Sequence, residues 1–393
     1  MRALGLLILF AFVLSGSNPV GYRQFTLEDA SRPAASIASS SQARRVAISL
    51  WYPAKAAQKT RTWYTYFRGE AQLRDSLPPG APLARIQAAL QTRQSLAADN
   101  APALESKYLI LIPASPHLIA PAAEHLAAHG YTVAAVEGQG SFETNFIASL
   151  PDLQSLIEDL QFVRARVGAQ LPYACLGHAI GATACAGLAM RDWNMKAVIS
   201  WEGGLPTPFE QGLLRQLPFF DAAAFRAPLL LLHAPHPAIR PELLDPYVFT
   251  PQRRAAFPDS SEGHFLIWGP LEADVPGLLG EAKPKAPASF QRALNYAVAF
   301  LDQYLKGGSA EQPPAEVRSG LPFRASLPEL RDLLRREGAA GLRKLSEAMR
   351  PQVRISPAKL EALSQWLSWQ PEPLKSQQAS LDKLRKELES VVP

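Results

Sequence analysis

YACLGHAIGATACAG (173–187) joins a short apolar strand, a glycine-flanked turn and the start of an alanine-rich helix. A chain that passes from strand to helix so sharply needs small residues two before and two after the apex. Gly177 and Gly181 meet that steric demand. Ala179 occupies the apex, where a strained strand-to-helix turn would present a nucleophilic serine, and alanine has no hydroxyl. Taken alone, the stretch fits equally well a βα turn that never carried chemistry.

The flanking sequence sets the turn in a repeating frame. Apolar runs at 46–52, 108–112, 131–136, 173–176, 196–201 and 228–234 read as strands. Helical periodicity at 82–96, 117–129, 152–168, 180–191 and 287–306 separates most of them. Strand and helix in alternation predict an α/β fold with a predominantly parallel sheet covered on both faces. Chemistry in such a sheet gathers at the carboxyl ends of the strands. From about residue 326 the chain becomes charged, with regularly spaced leucines, in segments 328–337, 340–349, 357–367 and 376–390 divided by prolines. These read as a helical tail that packs on the main domain or on a partner. The expected division is therefore 1–17, 18–325 with an insertion-like region at 56–107, and a tail at 326–393.

Several stretches together resemble a known family. GYRQFTLEDASRP (21–33) and RRVAISLWYPA (44–54) look like its opening strands, the second with a WYP motif. HLAAHGYTVAAVEGQGS (125–141), EDLQFVRARV (158–167) and GHAIGATACAG (177–187) continue the likeness to about residue 307. The chain resembles the α/β-hydrolase superfamily, in particular the plasma-type platelet-activating-factor acetylhydrolases and their dienelactone-hydrolase relatives. The resemblance implies an α/β-hydrolase fold and descent from an esterase of acetyl, short-acyl or phospholipid-like substrates. It implies a serine at the elbow, where this chain has Ala179. It implies an acid 23 residues further on, where Glu202 stands in ISWEGG, and a histidine after the last strands, where FPDSSEGHF (257–265) offers His264. Elbow, acid and histidine then follow in the order expected of such a triad. The oxyanion donors would be the backbone N–H of Ile180 and one from the turn Ile112-Pro113-Ala114-Ser115-Pro116. In one register that second donor is Ser115. In the other it is Pro116, which has no N–H. Glu202 as a loop cap and His264 as a hydrogen-bonded surface histidine are the plain alternatives.

Composition narrows the remaining classes. Hydrophobic residues make up 47% and charged residues 19%, an ordinary globular balance. The net charge of +5 is spread along the chain without a dense basic run, which argues against nucleic acid as a partner. It permits attraction to an anionic membrane surface without requiring it. Arg2, the apolar run Ala3–Leu14 and the small residues Ser15, Gly16 and Ser17 read as a signal peptide, so the expectation is an exported protein, periplasmic or secreted. An uncleaved anchor is the alternative. The two cysteines, Cys175 and Cys185, read as buried small hydrophobes; a disulfide would have to join a strand to the helix after it. No cofactor and no metal site is expected: His233 and His236 have no carboxylate or cysteine cluster beside them.

Loss of an elbow nucleophile costs on the order of 10⁶ in kcat. The first functional expectation is a degenerate hydrolase that binds a small ester or lipid-like ligand. The second is an atypical esterase working through His264 and water, or through another nucleophile. The third is a protein-interaction module acting through the tail.

Overall fold

The computed structural model describes residues 18–33, 43–56, 59–139, 146–308, 316–318, 327–348, 355 and 357–389. The signal-peptide stretch at 1–17 lies outside them. In chain order the strands are β1 (Val20–Pro33), β2 (Ala43–Pro53), β3 (Thr60–Thr62), β4 (Gln94–Asp99), β5 (Leu109–Ile112), β6 (Thr132–Val136), β7 (Tyr173–His178), β8 (Met195–Trp201), β9 (Leu229–His233), β10 (Gln252–Ala256) and β11 (Glu316–Arg318). They form one sheet in the order β11-β10-β9-β8-β7-β5-β6-β2-β1-β4-β3. The run from β10 to β6 is parallel throughout. Antiparallel pairs close both sides: β2 on β6, β1 on β2, β3 on β4 and β11 on β10.

The period-2 rule explains why the central strands are apolar without a break. In β5, Leu109 and Leu111 face one core while Ile110 and Ile112 face the other. Cys175 and Ala174 divide in the same way in β7. Each fully buried leucine side chain contributes about 1.5–3 kcal/mol, so covering both faces is what stabilises the layers. One face is covered by α1 (Glu70–Asp75), α2 (Leu83–Thr92), α3 (Pro116–Ala128), α7 (Trp268–Leu271) and α8 (Ala286–Leu305). The other is covered by α4 (Leu150–Val167), α5 (Ile180–Arg191) and α6 (Pro208–Arg215). The hydroxyl of Ser149 caps α4 by accepting from Asp152 N.

Region 56–107 widens the sheet. The helix expected at 82–96 stops at Thr92, and Gln94–Asp99 becomes β4, parallel to β1. A buried polar knot holds the region to the core: Glu124 of α3 accepts from Tyr66, Ser95 and Leu96 N, and Trp51 Nε1 donates to Tyr66. Burial raises the Glu124 carboxyl above the usual carboxylate range.

The tail is helical: α9 (Leu327–Ala348, kinked at Gly338), α10 (Pro357–Ser368), α11 (Glu372–Lys375) and α12 (Gln378–Glu389). Its leucines form their own core, against which Trp193 and Phe249 of the main domain pack. Buried Arg226 stacks over Trp193 and bonds Glu329 at 3.0 Å, tying the tail down.

The cysteine expectation needs correction: Cys175 and Cys185 are bonded to each other. The turn at the apex folds α5 back along β7. Residue 185 therefore lies over residue 175, with Cα atoms 5.5 Å apart. Among the described residues, no helix is long and apolar enough to cross a membrane.

Candidate active site

The carboxyl ends of the parallel strands converge on the turn after β7. Ala179 holds φ 46° and ψ −122°, a conformation that L residues adopt at a cost of about 1–3 kcal/mol. The surroundings leave no alternative path. A Cβ on Gly177 would stand 2.2 Å from the Gly181 carbonyl carbon, and one on Gly181 would stand 2.6 Å from Pro113 O. The loop after β8 closes from the other side, where a Cβ on Gly204 would lie 2.3 Å from Ala179 O. Ala179 N donates to Glu202 O at 2.8 Å. The strained backbone is thus fully braced, yet the side chain it presents is a methyl group.

Glu202 follows β8 directly, also at positive φ, and is buried. Its carboxyl accepts the Ala234 N–H, which ties the ends of β8 and β9 together. Burial, aided by nearby Glu262, raises its pKa to about 8 despite that hydrogen bond. A carboxyl that keeps its proton near neutral pH is poorly suited to stabilising an imidazolium.

His264 lies in the 3-10 turn Glu262–Phe265 that follows β10. Trp201 Nε1 anchors this turn by donating to Phe265 O. The structure does not bring His264 to Glu202 by any hydrogen bond. Its Nδ1 faces Ser261, and its Nε2 faces Glu272. Burial lowers its pKa, with Glu272 opposing, so the ring is neutral at neutral pH. The family frame indicated the histidine but not this carboxyl, which comes eight residues later and belongs to no motif.

On the oxyanion side, Ile180 opens α5, so its N–H has no acceptor within the helix. Ser115 directly precedes α3, and Pro116 is that helix's first residue. The Ala114 N–H turns back to Ile112 O at 2.9 Å. The Ser115 hydroxyl lies 3.4 Å from Glu137 Oε1, and Glu137 pairs with Arg68. His178, beside the apex, lies against the Glu262 backbone, which brings the turn after β10 up to the elbow. Among the described residues, no group of three His, Cys, Asp or Glu residues could hold a metal ion.

No family model matches the chain, and no curated protein matches it in sequence. A solved structure of a ferulic acid esterase from Streptomyces cinnamoneus is similar, with a TM-score of 0.55 and 21% identity. The match covers 75% of this chain and 92% of that one. The parallel sheet, its helical layers and this likeness together give the chain the α/β-hydrolase fold.

Proposed function

We propose that the protein is a degenerate carboxylic-ester hydrolase that binds a small ester or lipid-like ligand at the elbow and forms no acyl-enzyme at position 179. One observation carries this reading: Ala179 keeps the strained, braced backbone of a nucleophile turn without a nucleophile. A strained residue persists only where its surroundings over-determine it. The raised pKa of Glu202 and the partners of His264 support the reading, since neither side chain is arranged to serve position 179. The protein is taken to act outside the cytoplasm on the sequence of residues 1–17. The Cys175–Cys185 bond supports that placement, because disulfides persist in oxidising compartments.

The test sets the native chain beside Ala179→Ser with p-nitrophenyl acetate, and follows binding of the uncleaved amide analogue p-nitroacetanilide. Both proteins should bind the amide. Ala179→Ser should remain within a few-fold of native, because both ring nitrogens of His264 face other groups. A rise of roughly 10³-fold or more, the lower bound for a working triad, would overturn the reading, as would failure to bind the amide.

A further inference from the structure

The turn after β10 and the end of α7 together hold three side chains that the elbow leaves unused. Ser261 Oγ lies 2.7 Å from His264 Nδ1. The same nitrogen accepts the Ser261 N–H at 3.1 Å. A ring nitrogen that accepts an N–H carries no proton, so the hydrogen-bond pattern assigns the proton to Nε2 and turns the Nδ1 lone pair toward Ser261. Nε2 faces Glu272 Oε2 at 3.6 Å, with the two side chains 1% and 0% exposed. Neither atom has a hydrogen-bond partner among the described residues. Glu272 Oε1 accepts the N–H groups of Gly277 and Lys283, each at 2.8 Å, which fixes the carboxyl plane.

Ser261 also caps its short turn. The capping box accounts for the hydroxyl and for the bond from Ser261 N–H to His264 Nδ1. It does not account for Nε2 of a buried imidazole and a buried carboxyl held face to face just beyond hydrogen-bond distance. Such contacts in catalytic sites are often long without substrate and tighten when it binds. Carboxyl, imidazole and hydroxyl stand in the sequence that activates a serine, with the two ring nitrogens exchanged relative to the elbow arrangement. The hydroxyl is half-buried, and its neighbour Glu262 borders both His178 and Glu202.

We propose that Ser261 is a displaced nucleophile, with His264 as its general base and Glu272 as the residue that positions His264, taking the acyl group of small carboxylic esters bound beside the elbow. The proposal rests on the ester-binding reading above. Ser261 Oγ attacks the carbonyl carbon as its proton passes to His264 Nδ1. The tetrahedral adduct collapses, the ester C–O bond breaks, and the leaving alkoxide takes the proton from Nδ1 and departs as the alcohol. Water then attacks the acyl-serine, giving its proton to Nδ1. When the acyl–Oγ bond breaks, that proton returns to Oγ and the carboxylic acid leaves.

The experiment treats the purified chain with a fluorophosphonate probe and maps the adduct by peptide mass spectrometry, with circular dichroism and thermal melts on every variant. The probe forms an Oγ–P bond, fluoride leaves, and His264 takes the proton. One adduct is expected, on Ser261, and Ser261→Ala should abolish it while keeping the fold. His264→Gln should slow labelling by roughly 10²-fold or more. Glu272→Gln should change the pH profile of labelling, which a purely structural residue would leave in place. Absence of an adduct on folded native protein would overturn the proposal. So would an adduct on Ser115, Ser200 or Thr183 instead, or labelling unchanged in a folded His264→Gln. Binding of p-nitroacetanilide separates the two ideas. If the amide binds and no adduct forms on Ser261, only the displaced nucleophile fails. If the amide does not bind, the ester-binding reading fails first.

Discussion

The turn after β7 and the turn after β10 are adjacent, and they differ in what they hold. The first keeps the backbone: Ala179 at φ 46°, two glycines in backbone contact, and Glu202 O bonded to the apex N–H. The second holds polar side chains: Ser261 and His264, facing Glu272 at the end of α7, whose carboxyl is held by two backbone N–H groups. The difference teaches that steric closure and polar chemistry are separable. The closure of the turn after β7 rests on small residues and main-chain contacts, and alanine at its apex satisfies it without any polar group.

The contrast predicts a graded series of effects. The largest belongs to Gly177→Ala. Its Cβ would collide with main-chain atoms of Gly181 and Ala182 rather than with a side chain that could move. A loss of about 4 kcal/mol or more, or failure to fold, is expected in urea denaturation. A loss under about 1 kcal/mol would mean that the elbow is not braced as described.

Next comes Glu202→Gln, whose effect should depend on pH. In the folded chain Glu202 holds its proton to about pH 8; in the unfolded chain it releases it near the ordinary value of 4.5. Its contribution is therefore fully present below pH 4.5 and is lost as pH rises toward 8. Glutamine can still accept the Ala234 N–H and cannot ionise. The variant should gain on the native chain as pH rises from 4.5 to 8, reaching on the order of 2–4 kcal/mol. A difference that stays flat from pH 5 to pH 9, roughly the range between the two protonation steps, would show that Glu202 is ionised in the fold.

The smallest effect belongs to Ser115→Ala. Serine before a helix usually contributes about 1 kcal/mol through its cap bond. The Ser115 side chain makes no such bond to α3, and its hydroxyl lies 3.4 Å from Glu137 Oε1. A change within about 0.5 kcal/mol is expected by thermal melting. A larger loss would place the hydroxyl in the oxyanion turn's own hydrogen bonding.

Where the chain obeyed a local rule, the sequence was readable. Strands β5 to β9 are short apolar runs because both faces are covered, and each run named its strand. The tail helices followed from leucine spacing and proline breaks. β10 was not legible: Gln252-Arg253-Arg254-Ala255-Ala256 has no strand pattern and is held by pairing with β9. Gln94–Asp99 likewise continues a helical periodicity in sequence, and β1 draws it into the sheet. At the candidate site, the family frame pointed to Ala179, Glu202 and His264, which the structure places after β7, β8 and β10 respectively. The partners of His264 did not, because Glu272 and the N–H groups of Gly277 and Lys283 meet it only through folding.

By itself, the sequence determined the alternation of strand and helix, the glycine-braced turn and the alanine at its apex, since each depends on residues close in the chain. Tertiary structure alone decided the Cys175–Cys185 bond, the protonation of Glu202 and the direction in which His264 faces. Those depend on burial and on which distant groups pack together. Local patterns fix backbone conformation, whereas charge states and hydrogen-bond partners are set by surroundings that the chain supplies only once it is folded.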